Sequence, residues 1–150
     1  MKFIVLDSTP LSLITQRRGV PQADACKKWM AYHASRGIQI FVPEIVDYEL
    51  RRELLRLQRA ESIGRLDRFL LHPSVRYEPL NTAAIRRAAA LWAEARQQGI
   101  PTADPHALDV DVILAAQTLA SGIDTSAFVV ATSNFHHLAH FVPAKLWQTI

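Results

Sequence analysis

The chain has 150 residues, with 17 Lys and Arg against 14 Asp and Glu, for a formal net charge of +3. Apolar residues make up 49% and charged residues 21%, which excludes a disordered chain and suits one domain with a single core. One cysteine, Cys26, excludes a disulfide scaffold, and no run approaches the ~18 uncharged apolar residues of a membrane helix.

Residues 2–6 are a short apolar run closed by Asp7, the pattern of a strand buried on both faces. The run is too short for a signal-peptide core, so a cytoplasmic location is expected. Asp7-Ser8-Thr9-Pro10 reads as a helix start, and Arg17-Arg18-Gly19 stops that helix. A second helix is expected over about 22–36, closed by Gly37. Residues 38–42 form the next strand, and Pro43 opens a third helix with Val46, Leu50, Leu54 and Leu57 on one face. A shorter helix over 61–71 ends at His72-Pro73, and a third strand covers 75–80. Asn81 caps a long helix whose buried stripe is expected to hold Ile85, Ala88, Ala89 and Trp92, with Gly99 past its end. A loop over 99–108 leads to a helix over about 109–120 that is apolar almost all round. A fourth strand is expected at 128–131 and a short fifth at 146–150. Strands alternating with helices in one domain predict an α/β fold with a mainly parallel sheet.

The carboxylates are the informative residues. Asp7 directly follows the first strand, and Thr132, Ser133 and Asn134 follow the fourth, so both groups belong at the carboxyl edge where such sheets bind ligands. Asp109 and Asp111 open a buried helix, and Glu49 lies on the inner part of the helix after Pro43. Carboxylates gathered among apolar neighbours repel one another unless a cation holds them, and all-oxygen ligands favour Mg²⁺ or Mn²⁺. Simpler roles exist for each. Asp7 suits a helix N-cap equally well. Glu49 sits within helical reach of Arg52, although its preceding-turn neighbours Ile45 and Val46 are apolar. Asp109 and Asp111 lie about 200° apart around a helix, so Asp109 reads as the cap or an outer ligand and Asp111 as the inner one. Glu44 and Asp47 favour the helix dipole. The histidines 136, 137 and 140 lack a zinc-type partner set, and Cys26 reads as an inert, partly buried thiol.

Together these segments resemble the PIN domain, and within it the VapC-type toxins of bacterial toxin–antitoxin pairs. Leu6-Asp7-Ser8-Thr9-Pro10 resembles the family's first strand and acid. Val42-Pro43-Glu44-Ile45-Val46-Asp47-Tyr48-Glu49-Leu50 resembles its Pro-led helix with a glutamate before Leu. Asp111-Val112-Ile113-Leu114-Ala115-Ala116 and Ala131-Thr132-Ser133-Asn134 resemble its later Asp helix and its Thr-x-Asp/Asn turn. The four matches span the chain in order.

The resemblance implies an α/β/α sandwich with four to five strands. It implies Asp7, Glu49 and Asp111 as catalytic, metal-binding acids with Asp109 as a fourth, and Ser8, Thr132 and Asn134 as groups that orient them. Asn134 stands where many members carry an acid, which lowers the charge available for a second ion. The implied activity is Mg²⁺- or Mn²⁺-dependent hydrolysis of RNA, with an antitoxin as partner. The apolar helices over 22–71, with Trp29, Tyr32 and Phe69, offer surface for a homodimer. The alternative is a PIN-fold module that binds RNA or acts as a scaffold without cutting. With those four acids placed in the site, 17 basic residues face ten acids elsewhere, and 13 of the 17 are Arg. Arg suits phosphate, and Arg51 and Arg52 are the expected RNA contacts, with Arg56 and Arg59 as further candidates.

Overall fold

The computed structural model describes residues 1–100 and 109–150. The expected loop therefore lies largely outside the described residues. The first apolar run is β1 (Phe3–Leu6), buried from Ile4 to Leu6. Helices α1 (Ser8–Thr15) and α2 (Pro21–Ser35) follow, then β2 (Gln39–Pro43). Gly37 turns the chain between them with a φ of 83° that residues with a Cβ rarely adopt. Helices α3 (Glu44–Arg56) and α4 (Ala60–Leu70) lead to β3 (Val75–Glu78). Helices α5 (Thr82–Gln97) and α6 (Val110–Ala120) precede β4 (Phe128–Thr132) and β5 (Ala144–Leu146).

The strands form one parallel sheet in the order β3-β2-β1-β4-β5. Right-handed crossovers put α1 to α4 on one face and α5 with α6 on the other, which gives the three-layer α/β/α sandwich. The central strands are covered on both sides, which is why they are unbroken runs of Ile, Val, Leu and Phe rather than alternating patterns. The order reverses between β1 and β4, so the carboxyl edge at that point opens a crevice. Asp7 and Thr132 stand there.

Two elements differ from the sequence expectation. The buried stripe of α5 is Ala84, Ala88, Leu91 and Ala95, and Ile85 is 46% exposed. Small residues on that face let α5 lie closely on α6, its main partner, and this outweighs burying the larger Ile85. The fifth strand is Ala144–Leu146 rather than 146–150. Val130 to Thr132 of β4 offer it only three partners, and the chain then coils into a 3₁₀ turn at Trp147–Thr149. Cys26 is wholly buried, its thiol directed at the Pro10 carbonyl, and burial pushes its pKa up to about 12.

Candidate active site

Asp7 terminates β1 and serves as N-cap of α1, as its capping reading anticipates. Its backbone N–H donates to the Ala131 carbonyl at 3.0 Å, which extends the β1–β4 ladder by one residue and fixes where the carboxylate leaves the sheet. Oδ1 accepts from the Ser8 N–H at 2.7 Å, and Oδ2 accepts from the Thr132 hydroxyl at 2.7 Å. Thr132 is wholly buried, and its Oγ1 also accepts the Asn134 N–H at 3.1 Å. One hydroxyl thus joins the carboxyl ends of β1 and β4 and shapes the turn that follows. Burial raises the Asp7 pKa above the ordinary carboxylate value. The Thr132 and Ser8 hydrogen bonds oppose that rise, and the charge of Glu49 adds to it.

Asp109 is the N-cap of α6, its Oδ1 accepting the Val112 N–H at 3.2 Å. Asp111 lies in the first turn of the same helix, where the positive end of the helix dipole faces a carboxylate. Its pKa is pushed up to about 6, first by desolvation and then by the charges of Asp7, Asp109 and Glu49. His137 Nδ1 stands 3.8 Å from Asp111 Oδ2 and acts the other way. Asp7, Glu49, Asp109 and Asp111 therefore share one field, although they come from β1, α3 and the start of α6. Among the described residues, no three acidic, His or Cys side chains are gathered around one point as placed. The donors are nonetheless all carboxylate oxygens under mutual repulsion, which is the chemistry of a hard divalent cation site.

Ser8, Glu49 and Arg52 line a groove of about 320 Å³ between α1 and α3, with Thr9, Ser12 and Glu53 along it. Asn134 is exposed, and its Oδ1 accepts the His136 N–H at 3.3 Å. Arg52 is exposed, with its guanidinium 5.2 Å from the centre of the Tyr48 ring.

Arg51, expected as an RNA contact, is paired with acids. Its guanidinium binds Asp47 at 3.0 Å and Asp67 of α4 at 2.7 Å, so it ties two helices together. Asp47 is only 8% exposed and requires that partner. Arg56 is likewise paired, with Glu53.

Two residues support the site without having been singled out from the sequence. Gln117 is 1% exposed; its Oε1 accepts the Ile45 N–H at the start of α3, and its Nε2 donates to the Glu78 carbonyl, both at 3.0 Å. It pins the helix that carries Glu49 to the helix that carries Asp111. The signal was available, since Gln117 is the polar interruption of an apolar helix. Tyr77 sets its hydroxyl 3.0 Å from both Glu44 Oε2 and Asp47 Oδ2, which draws these acids toward β3 and away from the crevice.

Comparison with known proteins bears on the fold and the family. Among curated proteins none matches the chain significantly in sequence. Among solved structures, VapBC2 from Rickettsia felis bound to a DNA fragment from their promoter matches with a TM-score of 0.73 at 15% identity, covering 97% of this chain and 98% of that one. DNA-bound VapBC from Salmonella typhimurium gives 0.71 at 15%, covering 98% and 99%. VapBC-1 from nontypeable Haemophilus influenzae gives 0.65 at 16%, covering 97% and 98%. These likenesses establish the fold. The PIN domain profile matches residues 4–140, and with β1, the α3 glutamate, the α6 acids and the β4 turn all inside that span, the chain belongs to the PIN domain family.

Proposed function

We propose that this protein is a VapC-type ribonuclease that uses Mg²⁺ or Mn²⁺ to hydrolyse RNA phosphodiester bonds, and that it is the toxin of a toxin–antitoxin pair. The observation that carries this reading is the shared field of Asp7, Glu49, Asp109 and Asp111 at the sheet's switch point, where the Asp111 carboxyl is held near pKa 6. Carboxylates that raise one another's proton affinity at a sheet's switch point are what a divalent cation would relieve.

Asp7, Glu49 and Asp111 would hold the ion, with Asp109 as an outer ligand. The chemistry such an ion would supply there is Lewis-acid activation of water and charge stabilisation at the phosphodiester. The chain's own residues do the rest. Thr132 and the Ser8 N–H fix both oxygens of Asp7, so the carboxylate is oriented before any ligand arrives. Gln117 holds Glu49's helix in register with Asp111's. The groove lined by Ser8 and Arg52 gives the substrate a path past Glu49.

An antitoxin partner, a homodimer and a cytoplasmic location belong to the same proposal. The matching structures are VapBC assemblies, and no described helix is long and apolar enough to cross a membrane. Exposed Tyr32, Leu55 and Leu71 offer apolar surface for association.

The test is a gel assay of total RNA and tRNA with Mg²⁺, Mn²⁺ or EDTA, with wild type beside Asp7→Asn. Cleavage that requires metal and vanishes in the variant supports the proposal. Activity retained in folded Asp7→Asn would remove the assignment. RNA binding without cleavage under any metal would favour the non-cutting module instead.

A further inference from the structure

We propose that a second, basic cleft at the far end of α1 binds the phosphates of RNA, extending the substrate path away from the acids. This rests on the ribonuclease reading above. Helix α1 begins at the acidic crevice and runs about 12 Å to its last turn, eight residues at ~1.5 Å each. There α1, α2 and α4 enclose a cleft of about 290 Å³ whose cations are Arg18, Lys27, Arg65 and Arg68, over apolar Ile14 and Phe69.

Two of these cations are held rigidly. Arg65 Nε donates to the Thr15 carbonyl at 2.8 Å and its Nη2 to Ser62 Oγ at 3.0 Å, while Lys27 Nζ donates to the Gln16 carbonyl. Those carbonyls close the C-terminal end of α1, whose partial negative charge offsets the two cations only in part. Arg18 and Arg68 are exposed and have no carboxylate partner among the described residues.

No carboxylate lines the cleft. Asp24, in the first turn of α2, is turned to the Gly19 N–H at 3.1 Å. Asp67, beside Arg68 in sequence, is taken by Arg51. By comparison, Arg51, Arg56 and Arg76 are each paired with an acid. Four like charges collected in one concavity with acids absent are stabilised by a polyanion, and a nucleic acid backbone supplies evenly spaced negative charge. Arg forks match phosphate oxygens, and the apolar floor with Phe69 tolerates the sugar and base that accompany them.

The experiment compares full-length wild type with Arg18→Ala/Arg68→Ala, chosen because neither side chain supports α1. Binding of a fluorescent single-stranded RNA is followed by anisotropy in EDTA, where RNA is not consumed, across a salt series. Each single-strand phosphate contact contributes about 0.7 to the slope of log K against log salt, so two lost contacts flatten it by about 1.4. The affinity gap between the proteins should therefore narrow about 7-fold between roughly 50 and 200 mM salt. Matched melting temperatures exclude a folding defect.

An unchanged slope and affinity in the variant, with wild type still binding and cutting RNA, would overturn the cleft and leave the nuclease reading standing. Wild type that neither binds nor cuts RNA would overturn both. Polyglutamate binding lost in the variant while RNA binding is unaffected would reassign the cleft to an acidic protein segment and overturn the proposal.

Discussion

Replacing Asp111 by Asn should destroy activity and stabilise the metal-free protein. The Asp111 carboxyl titrates at about 6 in the fold against a reference of 3.8. A raised carboxylate pKa means that the protonated group favours folding. The stability it contributes is complete below the unfolded value and is lost as pH rises through about 6. The full shift corresponds to about 3 kcal/mol at 1.36 kcal/mol per unit. Asp111 is 36% exposed, and solvent screening brings this to about 1.5 kcal/mol. Asn removes the repulsion from Asp7, Glu49 and Asp109, and also gives up about 0.5 kcal/mol of favourable charge in the first turn of α6. The net gain is about 1 kcal/mol at pH 7.5, or roughly 2–4 °C in melting temperature for a chain of this size. The assay is thermal denaturation in EDTA at pH 7.5 and at pH 4.5, followed by titration with Mg²⁺. Asp111→Asn should melt higher at pH 7.5, the difference should shrink at pH 4.5, and Mg²⁺ should raise only the wild type. A variant that melts lower than wild type at pH 7.5 without metal would refute the idea that these carboxylates strain the site.

Three further outcomes follow from the geometry. Thr132→Val removes the hydroxyl that binds Asp7 Oδ2 and should cost about 1.5–3 kcal/mol, measured by urea denaturation, with activity falling because Asp7 loses its orientation. Gln117→Leu leaves the Ile45 N–H and the Glu78 carbonyl without partners, so a loss of about 2–3 kcal/mol is expected in the same assay; cleavage should drop more steeply than stability explains as α3 shifts relative to α6. Arg51→Ala strips buried Asp47 of its cation while the Tyr77 hydroxyl stays close, and should destabilise by about 2 kcal/mol; anisotropy should show RNA affinity nearly unchanged, whereas an RNA defect without a stability defect would return Arg51 to the substrate surface.

The sheet and the acids were legible in the sequence because their signals are local. An unbroken apolar run ended by Asp7, and a cap at Asp109 before an apolar helix, each declare themselves within ten residues. What escaped depended on partners distant in the chain. Arg51 looked available because Asp67, sixteen residues on, lies on another helix. The inner face of α5 could not be read from periodicity because alanines surround much of it, so its orientation was decided by how closely α6 could approach. Gln117 was visible as an anomaly, but its partners Ile45 and Glu78 lie 72 and 39 residues away. The short fifth strand was misplaced because its pairing is set by where β4 ends and not by its own composition.

The bond between Thr132 and Asp7 spans 125 positions, and this has a consequence for the cell that makes the protein. β1 is synthesised before one of its two neighbours in the sheet, β4, with all six helices made between them. Until β4 docks, Asp7 has neither its hydroxyl partner nor its final backbone anchor, and Asp111's helix has only just been made. A chain ending before Phe128 thus lacks both contacts that β4 gives Asp7.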